Sequence, residues 1–433
     1  MKKLIIPFLF ILPLFISGCS KGDGPGPIVE EEEPPVVEEE VITVDANKTF
    51  VHPGLLHTAS DFARMKAKVD AGIEPWVSGW NKLTANSHAS LLYNPAPTVK
   101  LIRGGSSAEE PEADNYSRAM NDAAAAYQCA IRWKVSGDEA YADKAVEILN
   151  AWAAVCERIS GNSNVALAAG IYGYQFANAA EILRGYQGWA EADFSTFKQW
   201  MLDVFYSVSY SFLETHWGTC NSHYWANWDL ANLASVMSIG VLCDRVDIYT
   251  YAIDYLMSGA GNGNIKKAIN FIHPKSGNDD IELGQLQESG RDQGHSLLCI
   301  GLLGVVCQTG YNQGEDLYAY SDNRVLKGAE YAAKYNFANL SVPFTEYTRN
   351  YKDAWSVCGG VETHTAISDI GKGGMRPIWE ILYNHYVVKR GIKARYVTMT
   401  TQKHRVEGGG GDYGPNSGGF DSLGFGTLLF SLE

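Results

Sequence analysis

Two short segments concentrate side chains that could bind a carboxylate and move a proton. The first, Thr219–Trp228, carries Asn221, His223, Tyr224 and Trp225 just ahead of an apolar run from Leu230 to Leu242. If that run is helical, its start exposes unpaired N–H groups and partial positive charge, and an amide such as Asn221 beside it can grip an anionic group. A plainer reading has Asn221 capping the helix and the rings packing, and the sequence leaves both open. The second segment, Gly284–Ser296, carries Gln287, Glu288, Arg291, Asp292 and His295 before another apolar run. Arg291 and His295 are four apart, a spacing that predicts one shared helix face. A guanidinium there would neutralise a carboxylate, and an imidazole would accept a proton. Ion pairing of Arg291 with Glu288 or Asp292 is the structural alternative. A third segment, Phe344–Tyr351, adds Tyr347, Arg349 and Tyr351, with His364 downstream. On composition its tyrosines read as packing.

These segments need a scaffold, and the spacing of apolar residues supplies one. Ala145/Val146, Leu149 and Trp152/Ala153 recur at helical intervals, as do Phe194, Phe197, Met201 and Val204/Phe205. Further helices are predicted over 61–70, 119–135, 164–186, 224–244, 293–309, 323–337 and 376–390, the last closing on Lys389-Arg390-Gly391. Alternating strand patterns are scarce, and no fixed-period repeat appears. The predicted fold is all-α: a single α/α toroid, an incomplete barrel of six or seven antiparallel helix hairpins. Three Gly-rich stretches, Arg103–Asn115, Gly259–Gly284 and Gly408–Gly419, are too long for plain connections and are expected to form cleft walls or lids.

The N-terminus has a different chemistry. Lys2 and Lys3 precede an apolar run, Leu4–Ile16, and then Ser17-Gly18-Cys19, a pattern that predicts a lipoprotein signal peptide over 1–18 and a lipid on Cys19. Residues 19–45 hold Glu30–Glu33 and Glu38–Glu40 around Pro34-Pro35 and are expected to be an extended acidic tether, with the catalytic body at 46–433. A lipid-anchored position in a bacterial cell envelope, at the outer membrane, follows as an expectation. The net charge is −14; beyond residue 45 there remain 32 basic and 40 acidic groups. With no basic block or stripe, nucleic acid is not an expected partner. Seven cysteines follow Cys19 and none form a CxxC pair, which favours buried thiols over a metal cluster; an exported location leaves room for one disulfide. No cofactor or metal is expected.

Asn221–Trp225, Gln287–His295 and Met375–Tyr386 together resemble the alginate-lyase superfamily, and most of all polysaccharide lyase family 38. The resemblance spans residues 50–400, including the Asn121–Trp152 hairpin. It departs at Ser222, which separates an Asn and a His that related lyases set side by side. It departs again at Gly294 and His295, where some carry a Tyr shortly after the Arg. The resemblance implies an α/α-toroid enzyme, expected to be a monomer, that cuts alginate or glucuronan by β-elimination. Such a reaction removes the C5 proton next to a carboxylate whose charge must be quenched, while O4 departs and is protonated. On this reading Asn221 and Arg291, aided by Gln287, neutralise the carboxylate. Tyr347, or second Tyr351, transfers protons, with His295 or His223 helping or replacing it. Where H5 and O4 share a face one tyrosine suffices; on opposite faces a second group is needed. Tyr224, Trp225, Gln287, Arg349, Tyr351 and His364 are expected to line the substrate. Two other functions stay open: a glycoside hydrolase on the same scaffold, drawing on Asp229, Glu288 and Asp292, and a non-catalytic surface glycan-binding lipoprotein.

Overall fold

Helices that are apolar on every side must be buried on every side. Val165–Leu183 and Ala226–Leu242 are of this kind, with almost no exposed residue in either. The computed structural model describes residues 41–413 and 420–433. The signal segment, Cys19, the tether up to residue 40 and part of the Gly408–Gly419 stretch lie outside the described residues. Packing of the body begins at Val44.

Six helix hairpins follow one another among the described residues. They are α1 (Ala59–Asp70) with α2 (Trp76–Thr84), α3 (Ser117–Ser136) with α4 (Glu139–Val155), and α5 (Val165–Leu183) with α6 (Glu191–Trp200) and its continuation α7 (Ser207–Thr215). Then come α8 (Ala226–Leu242) with α9 (Val246–Ser258), the single turn α10 (Ile265–Ala268), α11 (Gln293–Gln313) with α12 (Tyr320–Asn336), and α13 (Trp379–Leu382) with α14 (Arg395–His404). The helix of α13 runs on in wider turns to Lys389, and Gly391 at φ +68° ends it. Helices α3, α5, α8, α11 and α13 pack in succession as an inner ring, and their partners cover them outside. A last helix, α15 (Gly426–Phe430), touches α1, α2 and α13 and so closes the ring. The result is the α/α toroid, and small residues set its tightness. A Cβ on Gly170 of α5 would lie 2.7 Å from the backbone of Ala231 in α8.

The predicted helices fall on α1, α3, α4, α5, α6, α8, α11, α12 and the α13 rod; α2, α9 and α14 are among the additional ones. Among the described residues, strands occur in three two-stranded ladders. Parallel β1 (Lys100–Ile102) and β2 (Arg158–Ser160) fix the start of the Arg103–Asn115 stretch. Antiparallel β3 (Ile269–His273) and β4 (Leu283–Leu286) bring strand structure into the Gly259–Gly284 stretch, which was expected to be a long cleft-wall loop. Burial of Ile269 and Leu283 draws the two arms together. The third ladder is the hairpin β5 (Tyr347–Tyr351) and β6 (Gly360–His364). Along β5 the odd positions Tyr347, Arg349 and Tyr351 are half-buried while Thr348 and Asn350 face solvent, the period of two expected of a strand with one covered face.

Candidate active site

The start of α8 is the hub of the site. Its first N–H groups have no partners within the helix, and the segment after β4 supplies them. Ala226 N donates to Gln287 Oε1 at 2.9 Å, and Asn227 donates to Glu288 Oε1 through its backbone (2.9 Å) and its side chain (2.7 Å). Glu288 is fully buried, and its other oxygen accepts from Arg291 at 2.8 Å. The far end of Gln287 donates to the Tyr347 hydroxyl at 2.7 Å. Arg291 Nε lies 3.5 Å from Asp292, whose carboxylate meets His295 Nδ1 at 2.6 Å. One continuous chain of polar contacts thus runs from Tyr347, around the helix end, to His295.

Asp292 is the N-cap of α11 and also accepts the His295 backbone N–H at 2.8 Å. Burial works against its charge, but the imidazole and this N–H hold its carboxyl below the usual range. The contact with Asp292 occupies Nδ1 of His295. No described residue hydrogen-bonds Nε2, and the side chain is 41% exposed, enough to meet a ligand. It opens on a cleft of about 560 Å³, lined also by Arg103, Asn227, Asp292, Arg376, Asp421 and the glycines 294, 371 and 374. Arg103 reaches in from the loop after β1, lying 4.9 Å from the Tyr116 ring and donating to the Tyr172 hydroxyl at 3.3 Å. No carboxylate lies within ion-pair distance of it among the described residues. Arg376 is buried, 3.7 Å from Asp421, and donates to the carbonyl of Gly294 at 3.1 Å. Burial pushes the Asp421 carboxyl up, against the pull of Arg376, Arg103 and His295.

Beside this cleft, the Trp225 ring supports two guanidiniums, Arg349 at 4.1 Å and Arg291 at 5.1 Å from its centroid. His364 packs on the same ring at 5.6 Å and bonds Glu362 at 3.0 Å. Its cross-strand partner is Tyr347. Burial raises the Tyr347 phenol above its ordinary value, opposed by the Gln287 hydrogen bond and the Arg349 charge. Among the described residues no group of three or more His, Cys, Asp or Glu is placed to hold a metal ion.

The sequence profile of the alginate lyase family matches residues 94–340, more than half of the chain and the part that carries α3 to α12. The chain belongs to the alginate lyase family. It is a polysaccharide lyase. Its fold resembles that of an alginate lyase from Bacteroides ovatus, 13% identical, with 88% of this chain and 100% of that one covered and a TM-score of 0.54. It also resembles alginate lyase A1-III from Sphingomonas species A1, 14% identical, covering 86% and 95%, TM-score 0.52. A histidine-to-alanine variant of A1-III complexed with tetrasaccharide superposes with a TM-score of 0.53 at 14% identity over 86% and 94% of the chains. At these identities the likeness establishes the fold. No curated protein matches the chain.

Within this lyase, the residues singled out from sequence separate into three places. His295 lines the cleft. Arg291, Tyr347, Gln287, Trp225 and His364 form the adjoining cluster, with Arg349 tied to Glu362 at 2.7 Å and donating to the His223 carbonyl. Tyr351 packs beneath Arg349, whose guanidinium lies 5.3 Å from its ring. Asn221 and His223 sit outside the cleft lining. Asn221 is exposed in the turn five residues before α8. His223 Nδ1 accepts the Lys352 N–H at 2.8 Å, and burial with the nearby Arg349 charge lowers its pKa. Tyr224 is buried against Trp228 and Phe212, with ring centroids 4.8 and 5.0 Å away, which makes it a packing residue.

Two further corrections concern geometry. Arg291 and His295 do not share a helix face, because α11 begins only after Asp292 caps it; the carboxylate between them joins the pair instead. Gln287 has both ends of its amide engaged, so it positions Tyr347 and the helix start. The carboxylates that a hydrolase would need are likewise committed. Asp229 meets His216 (3.1 Å), Tyr255 (3.1 Å) and Gly263 N (2.9 Å), and Glu288 holds α8. Sequence reasoning missed Arg103, Asn227 and Arg376 as individual residues. Arg103 was marked only by the Gly-rich stretch it opens, and Arg376 only by its place in the Met375–Tyr386 motif. Asn227 was hidden inside an apolar helix, where only its place in the first turn marks it out.

Proposed function

We propose that this lyase cleaves alginate, or a related uronate polymer such as glucuronan, by β-elimination in the cleft between Arg103 and His295. The observation that carries the reading is the shared lining: an imidazole fixed by Asp292 lines the same cavity as Arg103, which has no carboxylate partner among the described residues, and Asn227. Arg103 and Asn227 would quench the uronate carboxylate, and Arg291 would add charge from the rim. His295 Nε2 would accept the C5 proton as the C4=C5 bond forms and the C4–O4 bond breaks. Tyr347, hydrogen-bonded by Gln287, would supply the proton that O4 takes, or act as the base on polymers whose H5 lies on its side. The sugar is the acidic partner that an otherwise acidic protein receives through this local pair of arginines.

The test is ultraviolet absorbance from the new C4=C5 bond with alginate, its mannuronate- and guluronate-rich fractions, and glucuronan as substrates. Absorbance on at least one of these is expected, and silence on all of them would refute the reading. His295→Ala and Arg103→Ala should each lower kcat/KM by about 100-fold or more without unfolding. We further propose that the chain acts as a monomer held to the envelope through lipid on Cys19. Cys19→Ser should move the protein from the membrane to the soluble fraction, and unchanged partition would refute the anchor.

A further inference from the structure

Two cysteines outside the core meet at the edge of the site. Cys220 lies in the loop before α8, next to Asn221, and Cys358 lies in the turn that joins β5 to β6. The Cys220 N–H donates to the carbonyl of Val357 at 3.1 Å, so the two backbones are already pinned side by side. Ser222 reinforces the contact, its hydroxyl donating to the Asn350 carbonyl at 2.8 Å and lying 3.8 Å from the Cys220 sulfur. The neighbouring Cys220 thiol pushes the Cys358 thiol up. Both are partly exposed, whereas Cys129, Cys156, Cys299 and Cys307 are buried, and the partly exposed Cys243 turns its thiol to the Lys198 carbonyl at 3.6 Å.

We propose that Cys220 and Cys358 form a disulfide in the exported protein, clamping the β5–β6 hairpin to the loop that precedes α8. The Cys220–Val357 backbone hydrogen bond brings the two residues close together, the first condition for the narrow geometry that such a bond demands. The inference rests on the export reading, because thiols persist in the cytosol and pair outside it. The chemistry is thiol–disulfide exchange with a donor disulfide. One cysteine thiolate attacks a donor sulfur, breaking the donor S–S bond and expelling one donor thiolate. The second cysteine thiolate then attacks the mixed disulfide, forms the Cys220–Cys358 bond and expels the other. The two protein thiols lose two electrons and two protons, and the donor leaves as two thiols. The hairpin carries Tyr347, Arg349, Tyr351 and His364, so the bond would hold the Tyr347 hydroxyl at Gln287 while polymer passes. The partners are 138 positions apart, so the link also restricts a long loop of the unfolded chain.

The experiment uses the full chain, made once with its own N-terminal segment for export and once without it in the cytosol. The cytosolic sample is equilibrated with a mixture of oxidised and reduced glutathione. Both samples are denatured, alkylated, digested and weighed by mass spectrometry, and fractionation reports where the first one resides. The expected result is a Cys220–Cys358 linked peptide in both, with the other cysteines of the body alkylated. Alkylation of both residues in both samples would overturn the proposal, as would a link that forms with glutathione but is missing from protein found outside the cytosol. If the first sample stays in the cytosol, the export reading fails by itself and the glutathione arm decides whether the bond forms. Reductant should lower the melting temperature of the linked protein and leave the C220S/C358S variant unmoved; an equal response in both would overturn the clamp. None of these readouts depends on lyase activity.

Discussion

Glu288 offers the sharpest test of how the site is assembled. Its carboxylate is fully buried and accepts from Asn227 N, Asn227 Nδ2 and the Arg291 guanidinium at 2.9, 2.7 and 2.8 Å, and from the Cys299 thiol at 3.3 Å. Glu288→Gln keeps the shape but removes the charge and can offer only one oxygen. If that oxygen serves Asn227, the new NH₂ group points at Arg291, donor against donor. Breaking a buried, hydrogen-bonded ion pair costs about 3–5 kcal/mol. For a body of roughly 390 residues the entropy of unfolding near the midpoint is about 0.8 kcal/mol per kelvin, so the melting temperature should fall by about 4–6 °C. Calorimetry on the wild type and variant reads this directly. Adding Arg291→Met removes the facing donors and should return part of the loss, with a coupling of about 1–3 kcal/mol in the double-mutant cycle. Lyase activity should fall in both variants, because the start of α8 and the rim guanidinium lose their common anchor. A melting temperature within about 1 °C of the wild type for Glu288→Gln would refute the claim that this carboxylate organises the site.

Three further outcomes can be checked. Tyr347→Phe should cost about 100-fold or more in kcat and, by leaving the Gln287 amide unpaired, about 1–3 kcal/mol of stability, and an unchanged rate would move proton transfer elsewhere. Gly290→Ala would set a Cβ 2.5 Å from the His364 Cβ, so the β5–β6 hairpin must shift; about 1–3 kcal/mol of stability and much of the activity should be lost, measured by thermal melting and initial rates. Burial lowers the His385 pKa to about 3, so between pH 6.5 and that value the unfolded chain binds a proton that the folded one refuses. Its contribution is therefore complete above pH 6.5 and shrinks as the pH falls, by about 2 kcal/mol at pH 5. His385→Gln should flatten the acid limb of a stability profile followed by urea denaturation, and an unaltered limb would refute it.

Local rules were enough to find the helices. The three-and-four spacing in Phe194–Phe205 and the unbroken apolar runs of α5 and α8 are statements about which faces must leave water, and ring closure follows from having many such faces and no repeat. Where glycines dominated, as in Gly259–Gly284, the pattern was misleading. The β3–β4 pairing depends on a partner ten or more positions away, and so does the register that sets Tyr347 opposite His364.

The sequence alone determined the toroid and the concentration of polar groups before α8 and α11, because those depend on composition and short-range spacing, and its motifs carried the likeness to the family. Only the tertiary structure decided which groups share a cleft. Asn221 and Asn227 are the same side chain six positions apart, yet one ends in an exposed turn and the other lines the cleft with His295 and Arg103. That choice depends on where Glu288 docks against the end of α8, a contact between residues 61 positions apart that no local pattern encodes.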